Sequence, residues 1–522
     1  MILITSAAYI DLELQSEFGR LPPAFLPVGN KHLFFHQVDI LKSYFNDEAI
    51  YMSIPESFIV SDLEREFINN LNISIVSIPD KLRLSDSILY AINSIGNYSE
   101  GIRILHGDTL IYDLPLELDT IAVAQADSEY QWYIESSDDE GYLAWAGYFS
   151  FKSVALLGKA LVASAGDFEK AVISYGQKNK LTRSLVENWL DFDHVNTFYN
   201  SRSKITTQRS FNELKIINKK VYKSSKNSLK IKAEAKWFES IPPQLRVYTP
   251  QLLNHGELLG NYFYELEYLF CAPLNEVYVY GRHNVVFWDR IFSHIKQWFN
   301  DSRSTFHENI KLYNDSIIEK NFIDLIDKKT KHRIFSYLLD RGISQDSLTY
   351  LNSKELPSLN VIIDQCVNLT SMLPSMPGIM HGDLCFSNIL MDSRSDSIKL
   401  LDPRGVNNDG TISIVGDLRY DLAKLAHSVY GMYDYIISGA YYINKKSDLN
   451  YDFYINSDDN LNKIKSHFIN YEFLSDIPTR SILPLCVLLF LSMLPLHSDK
   501  PERQDAMLAN ALRIYSLILE EQ

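Results

Sequence analysis

The sequence predicts an α/β domain followed by an α+β region built from a small mixed lobe and a large helical lobe. Three observations lead there. Over the first 200 residues short Ile- and Val-rich runs alternate with helical stretches, the rhythm of a mostly parallel sheet with helices on both faces. A polar, aperiodic stretch at 201–212 then breaks that rhythm. From about Trp288 onward apolar residues recur at helical spacing. A chain of 522 residues also exceeds what one core usually organises, so two to four domains are expected.

The elements follow in order. Candidate strands are Met1–Ala7, Ala49–Ile54, Ile73–Ile78, Ile102–His106 and Thr120–Ala124, with helices such as Phe34–Phe45 and Leu84–Ile95 between them. The domain assignment is 1–205, then 206–285 and 286–522 for the two lobes. In the small lobe Leu214–Ile217 and Lys220–Lys223 read as strands around the turn Asn218-Lys219, with a helix over Leu229–Ser240 and a strand over Tyr262–Leu269. In the helical lobe Trp288–Trp298 and Ile317–Ile326 carry helical periodicity, and a single strand–turn–strand element is expected at Ile389–Leu401. The apolar run Ile482–Leu496 is short for a membrane span and contains Pro484 and Pro495, so it reads as a buried core helix. The segment from His497 to Arg503 reads as a solvated helix–helix loop.

Composition narrows the function classes. An apolar share of 46% and a charged share of 22% are ordinary for a globular chain. The net charge of −15 argues against nucleic acid as a partner, because backbone binding needs a basic field. Cys271, Cys366, Cys385 and Cys486 lie far apart with no CxxC pair, which suits a reducing compartment and offers no zinc spacing. No basic n-region precedes the first apolar run. The expectation is a cytoplasmic protein without a membrane span.

The chemistry concentrates in His381-Gly-Asp-Leu-Cys-Phe-Ser-Asn388 and Leu401-Asp402-Pro-Arg-Gly405. Apolar pieces flank the turn at 393–397, so a hairpin would return Asp402 to the side of Asn388. Transfer of a phosphoryl group from a nucleotide needs such a cluster. Magnesium is held by a carboxylate and a neutral amide oxygen, and a further carboxylate orients the attacking hydroxyl. Asp383 fits the orienting role, and Asn388 and Asp402 fit the metal roles. His381 reads as a brace for the loop.

The ordered set His-Gly-Asp-Leu-x-x-x-Asn followed by Leu-Asp resembles the aminoglycoside phosphotransferase and choline kinase superfamily, small-molecule relatives of the protein kinases. The resemblance implies a bilobal protein-kinase-like domain that uses ATP and Mg2+. It implies that Lys223, ending the strand Val-Tyr-Lys, holds the nucleotide phosphates, with Glu234 on the next helix as its ion-pair partner. Glu239 lies on the same helix as a rival. Glu265-Leu-Glu-Tyr268 is similar to the hinge whose backbone binds adenine, and Gly416-Asp-Leu-Arg-Tyr-Asp421 to the helix start that braces the catalytic loop. Two departures stand out. No glycine lies between Phe211 and Lys223, where protein kinases carry a phosphate loop. After Asp402 comes Pro403-Arg404 instead of an aromatic. Arg404 could meet substrate or phosphate, or pair with Asp417 or Asp421.

The first 200 residues resemble sugar-phosphate nucleotidyltransferases, which implies a three-layer, Rossmann-like domain of the GT-A type. The similarity rests on Ile2–Ala8, on Phe18-Gly-Arg20-Leu-Pro-Pro-Ala-Phe-Leu-Pro-Val-Gly-Asn-Lys31, on Leu105-His-Gly-Asp108 and on Trp189-Leu-Asp191. A nucleotidyl-transfer site would then comprise Arg20, Lys31, Asp108 and Asp191. The plain alternatives are a strand-end turn for Asp108 and a helix cap or surface carboxylate for Asp191. Residues 8–15 lack the expected glycines, Ala24 stands where a lysine is usual, and Asp11, Glu13 and Glu17 add negative charge. The domain is therefore expected to be a degraded or altered transferase.

Together these readings predict an ATP-dependent phosphotransferase acting on the hydroxyl of a small acceptor, a sugar or polyol, in capsule or lipopolysaccharide biosynthesis. The alternatives are a bifunctional kinase and nucleotidyltransferase, or a catalytically silent scaffold in polysaccharide assembly. Homo-oligomers or polysaccharide-assembly enzymes are the possible partners.

Overall fold

The computed structural model describes residues 1–98, 100–125, 134–137, 141–205, 212–309 and 315–520. Half of the polar boundary stretch expected at 201–212, residues 206–211, lies outside the described residues. The chain forms two compact units: Met1–Ile205 with Tyr280–Arg282, and Thr206–Val279 with His283–Gln522.

The first unit is built on the strands β1 (Ile2–Thr5), β2 (Ile50–Pro55), β3 (Ile73–Ile78), β4 (Ile102–His106), β5 (Thr120–Gln125), β6 (Gly141–Phe151) and β7 (Thr182–Leu185). Their order in the sheet is β7-β5-β6-β4-β1-β2-β3. β1 runs parallel to both β2 and β4, β3 is parallel to β2, and β7 is parallel to β5. The helices used below are α1 (Leu12–Phe18), α2 (Leu33–Tyr44), α3 (Leu84–Ile95), α4 (Val154–Ala163) and α5 (Phe168–Gly176). Leu3, Val76, Ile104 and Val123 join Ile88, Leu157 and Val172 of α3, α4 and α5 in one core. The alternating residues Ile2, Ile4, Met52 and Leu105 are buried as well, as are Leu33, Phe34 and Val38 of α2. Both sheet faces are therefore covered, which explains why the strands read as continuous apolar runs.

The sheet is mostly parallel, as expected: of the strands named above only β6 runs the other way, sitting between β4 and β5 and antiparallel to both. Its sequence Gly-Tyr-Leu-Ala-Trp-Ala-Gly-Tyr-Phe-Ser-Phe is interrupted by small residues. Its register also shifts between Trp145 and Phe149, so it shows no clean period of two. Gly147 explains part of this. It has φ +80°, and a β-carbon there would fall 2.4 Å from Thr109 Oγ1.

The second unit begins with an antiparallel sheet of β8 (Asn212–Ile217), β9 (Lys220–Ser225), β10 (Leu252–Leu258) and β11 (Asn261–Glu267), in the order β8-β9-β11-β10. Helix α6 (Ser228–Ser240) lies against it. Asn227 caps α6 by accepting from the Lys230 N–H, which satisfies one of the first-turn donors. The large lobe contains α7 (Val285–Asn309), α8 (Asp315–Ile323), α9 (Lys329–Asp340), α10 (Leu418–Val429), α11 (Leu483–Met493) and α12 (Pro501–Glu520), with the hairpin β12 (Ile389–Asp392) and β13 (Ser397–Leu400). This is the two-lobed, kinase-like arrangement that the sequence predicts.

That hairpin is not the lobe's only strand element. Thr349–Leu351, Lys354–Leu356, Tyr442–Ser447 and Asn450–Tyr454 form a four-stranded sheet. Its strands are short, and Tyr-Ile-Asn-Lys-Lys-Ser is largely exposed, so hydrophobic periodicity gives no sign of it. Around α11 the helical run extends over 19 residues, Thr479–His497, long and apolar enough by length and composition to cross a membrane. The expectation that it was too short is corrected. Nevertheless 72% of its most apolar window is buried inside the structure, the behaviour of a core helix.

Candidate functional site

Strand β9 delivers Lys223 into the interior of the second unit, in register with Leu214 on β8 and Tyr264 on β11. Its Nζ lies 2.8 Å from Glu234 Oε2 and 2.9 Å from Asp402 Oδ1. Tyr264 OH donates to the same Glu234 oxygen at 2.8 Å. Burial alone would lower the Lys223 pKa, but the Asp402 and Glu234 carboxylates outweigh it and raise it. Burial raises that of Glu234 against the pull of Lys223. Glu239, the rival on α6, points to the surface and pairs with Lys236 at 2.5 Å.

The loop at 381–388 is fixed by groups far away in sequence. Asp421, in the first turn of α10, accepts the N–H groups of His381 and Gly382 at 2.7 Å each. Burial pushes its carboxyl up to about 7 against those two donors. His381 is fully buried, and burial brings it down to about 4, so the ring is neutral at ordinary pH. It bonds the Leu401 carbonyl through Nε2 at 2.9 Å and faces the Asp383 N–H with Nδ1 at 3.3 Å. A neutral ring with the proton on Nε2 satisfies both contacts. The imidazole ties the two chain segments together and does not reach a reacting group.

Asp383 is paired with Lys424 of α10, whose Nζ lies 2.8 Å from Oδ1. Burial would raise the Asp383 carboxyl, but the Lys424 charge and hydrogen bond hold it well below the usual carboxylate range. Asn388 gives its Nδ2 to the Asp383 carbonyl at 2.9 Å and to Asp383 Oδ2 at 3.1 Å. This fixes the amide, whose Oδ1 accepts from Ser387 Oγ at 3.4 Å and keeps acceptor capacity for a cation. The Leu401 N–H donates to the Asn388 carbonyl at 2.8 Å. With β12 and β13 paired from Ile389↔Leu400, this bond brings Asp402 beside Asn388.

Asp402 adopts φ +53°, and its side chain is about half exposed at 48%. Pro403 is buried. Arg404 returns its N–H to the His381 carbonyl at 2.8 Å, and its guanidinium donates to Asn408 Oδ1 at 2.7 Å. The suggested pairing of Arg404 with Asp417 or Asp421 is therefore corrected. Asp417 holds Arg419 through a 2.7 Å contact, and Asp421 is committed to the loop N–H groups.

The hinge expectation also shifts. Glu265 is laddered on both sides, to Tyr222 and Asn254, and the Tyr268 N–H donates to the Lys219 carbonyl at 3.0 Å. Strand β11 is an inner strand whose backbone already has partners on both sides.

The donor set fits magnesium. Asn388 Oδ1 and Asp402 are hard oxygen donors side by side, and Mg2+ commonly takes one or two protein oxygens, completing its shell with phosphates and water. Among the described residues no group of three His, Cys, Asp or Glu could hold a metal by itself.

In the first unit the structure brings Asp108 and Asp191 together and keeps Arg20 and Lys31 apart from them. The strand Trp189–Asp191 pairs with Thr109–Ile111, placing Asp191 opposite Thr109. Burial and then the Asp108 charge push Asp191 up to about 7. Arg20 lies over the Tyr9 ring at 3.8 Å and Lys31 near Phe35 at 5.9 Å. Among the described residues neither pairs with either aspartate. Asp11 caps α1 by accepting the Leu14 N–H at 2.7 Å, and its other oxygen lies 3.4 Å from His194 Nδ1. A carboxylate of the chain itself thus occupies the helix end where an anion would bind. Ala24 is fully buried in a turn, so the place of the expected lysine belongs to the core.

Sequence reasoning missed Lys424, although the stretch beginning at Gly416 contains it. Its helical spacing of three from Asp421 was the available signal. It also missed Asp193 and His194, paired at 3.1 Å, and Lys329 and Arg333, which no motif marks.

No family model matches the sequence, and no curated protein matches it. Solved structures do resemble parts of it. A nucleoside-diphosphate-sugar pyrophosphorylase from Vibrio cholerae RC9 matches with TM-score 0.33 and 13% identity, covering 39% of this chain and 99% of that chain. The inositol-1-phosphate CTP transferase from T. maritima matches with TM-score 0.30 and 16% identity, over 40% and 97%. A thermostable mutant of aminoglycoside phosphotransferase APH(4)-Ia, in a ternary complex with AMP-PNP and hygromycin B, matches with TM-score 0.38 and 10% identity, over 60% and 92%. Parts of this chain are similar in structure to sugar nucleotidyltransferases and to aminoglycoside phosphotransferases. At these scores the chemistry rests on the site's own atoms.

Proposed function

We propose that the second unit is an ATP-dependent phosphotransferase acting on the hydroxyl of a small molecule. The observation that carries this reading is the connected set of Glu234, Lys223 and Asp402 beside Asn388, Asp383 and Lys424. It offers an ammonium for phosphates, two neighbouring oxygens for Mg2+ at Asn388 and Asp402, and a carboxylate kept ionised for the acceptor. The ion, when bound, supplies charge neutralisation on the phosphate oxygens.

Asp383 receives the hydrogen bond of the acceptor hydroxyl and aims its oxygen at the γ-phosphorus. The bond from that oxygen to phosphorus forms as the bridging P–O bond to ADP breaks. The electron pair leaves with ADP, and the hydroxyl proton passes to Asp383 and on to water. A carboxylate as acidic as Asp383 is a weak base, so its contribution is mainly orientation, which suits a loose phosphoryl-transfer transition state.

For the first unit, the Asp11 cap and buried Ala24 support a domain that binds a ligand or organises an assembly without transferring nucleotides. A sugar or polyol acceptor, a place in capsule or lipopolysaccharide precursor synthesis and a cytoplasmic setting complete the reading, by analogy of the paired folds.

The test is ADP release by the purified full chain with ATP, Mg2+ and a panel of sugars and polyols. Asp383→Asn and Asp402→Asn are each expected to lower turnover by roughly 100-fold or more. Turnover unchanged in both would sink the assignment. Pyrophosphate release from CTP, UTP or GTP with sugar phosphates would instead restore nucleotidyl transfer to the first unit.

A further inference from the structure

Beside Asp383 lies a second set of charges that the transfer chemistry leaves unused. Helices α8 and α9 are joined by the π turn Asp324–Lys328. The additional residue in such a turn re-aims the side chains beyond it, and π turns recur at functional sites. Lys329 and Arg333 follow immediately, one helical turn apart. Lys329, Thr330, Tyr420 and Ser492 meet at one crevice of only about 10 Å³, otherwise lined by Leu325, Ile326, Leu485, Leu488 and Leu489. Arg333 is anchored there by donating Nη1 to the Ser492 carbonyl at 2.8 Å. The Arg404 guanidinium lies 5.8 Å from the centre of the Tyr420 ring, and Lys424 follows Tyr420 by one turn of α10.

These charges are not balanced within the protein. Among the described residues no carboxylate comes within 4.0 Å of Lys329, Arg333 or Arg404. Asp383 is already paired with Lys424. Burial, then the charges of Arg404, Arg333 and Lys424, bring Lys329 down to about 6, against the opposing pull of Asp383. Brought down this far, Lys329 is largely uncharged at neutral pH beside the two arginines, and an anion with several oxygens would restore its proton while accepting charge-assisted hydrogen bonds. The two arginines each hold only part of their donor fork in the contacts above.

We propose that the acceptor carries an anionic group, a phosphate monoester or a carboxylate, held by Lys329, Arg333 and Arg404 while its hydroxyl faces Asp383. The proposal rests on the phosphotransferase reading for the role of Asp383, and it narrows the acceptor to acidic small molecules.

The first experiment is calorimetric titration of the full chain with inorganic phosphate, with and without saturating AMP-PNP and Mg2+. Binding is expected in both conditions, weakened at least tenfold in Lys329→Gln and Arg333→Gln and retained in Arg333→Lys. No binding to the unsubstituted chain, equal binding in both glutamine variants, or displacement by AMP-PNP overturns the proposal; the last would assign the cations to the nucleotide. Failure of AMP-PNP itself to bind counts against the phosphotransferase reading, and the phosphate titration remains readable without it. The second experiment compares sugar phosphates and sugar acids with their neutral parents as acceptors. The anionic compounds are expected to show at least tenfold higher kcat/KM, through KM, and to lose that advantage in Lys329→Gln without a change in the KM for ATP. A preference for neutral or cationic acceptors overturns it.

Discussion

Gly405 stands so close to helix α6 that a β-carbon there would fall 2.2 Å from the carbonyl oxygen of Ala233. Glu234 is the next residue, and Asp402 is only three positions before Gly405. The two carboxylates that share Lys223 are thus set at their spacing by a backbone contact that only glycine permits. Gly405 also has φ +61°, where a side chain is strained. Gly405→Ala should cost about 2–4 kcal/mol of stability and lower kcat by about tenfold or more through displacement of Asp402. Thermal unfolding and ADP release check both, and a variant with unchanged kcat would show that the contact does not position the site.

Lys223→Met removes the ammonium that lies within 3 Å of both Glu234 and Asp402, leaving Glu234 the 3.7 Å contact with Lys230. Because Glu234 is almost fully buried, the single substitution should destabilise by about 3–5 kcal/mol. Lys223→Met combined with Glu234→Gln should recover much of that loss in denaturant unfolding. Neither protein should regain AMP-PNP affinity. Recovered binding in the double variant would remove Lys223 from the nucleotide site.

Lys424→Met should change the pH profile rather than abolish turnover. With Lys424 present, Asp383 stays ionised throughout the working range. Without it, burial is left to raise the Asp383 carboxyl, so activity should fall as pH drops, with an acid limb displaced upward from that of the unsubstituted chain. A parallel loss at every pH would make Lys424 a merely structural neighbour.

Asp434 offers a stability test one hydrogen bond removed from the loop at 381–388, since its partner Ser428 accepts the Phe386 N–H at 3.0 Å. Burial raises its carboxyl to about 7, opposed by a hydrogen bond from Ser428, and its Oδ2 has no partner among the described residues. The folded pKa is above the unfolded one, so the protein loses stability as pH climbs from about 4 through 7. Asp434→Asn removes that loss. The variant should gain stability relative to the unsubstituted chain by roughly 2–4 kcal/mol between pH 4 and pH 8. A difference in unfolding free energy that does not grow with pH contradicts a buried, protonating carboxyl.

The candidate site was legible because its residues are close in sequence or follow strand rhythm. Asp383, Asn388 and Asp402 lie within one loop and hairpin, and Lys223 ends a readable strand. The groups that set their electrostatics were less visible. Lys424 comes from one helix, and Lys329 and Arg333 from another, and packing alone brings them near Asp383, whereas Asp421 was named from its motif. Strand β6 escaped notice because glycines and alanines hide its alternation, although it joins β4 to β5. Arg404 was visible, but its partner was not, since Asn408 becomes its neighbour only after the chain turns at Gly405.

The sheet of the first unit imposes an order on synthesis. Strand β1 is completed by Thr5, yet its two neighbours begin at Ile50 and Ile102. As the chain emerges, β1 gains one edge only after some fifty residues and its second only after about a hundred. Until then a short, mostly apolar strand presents open backbone, with loop closure delaying its capture. The vulnerable period falls between the synthesis of β1 and that of β4.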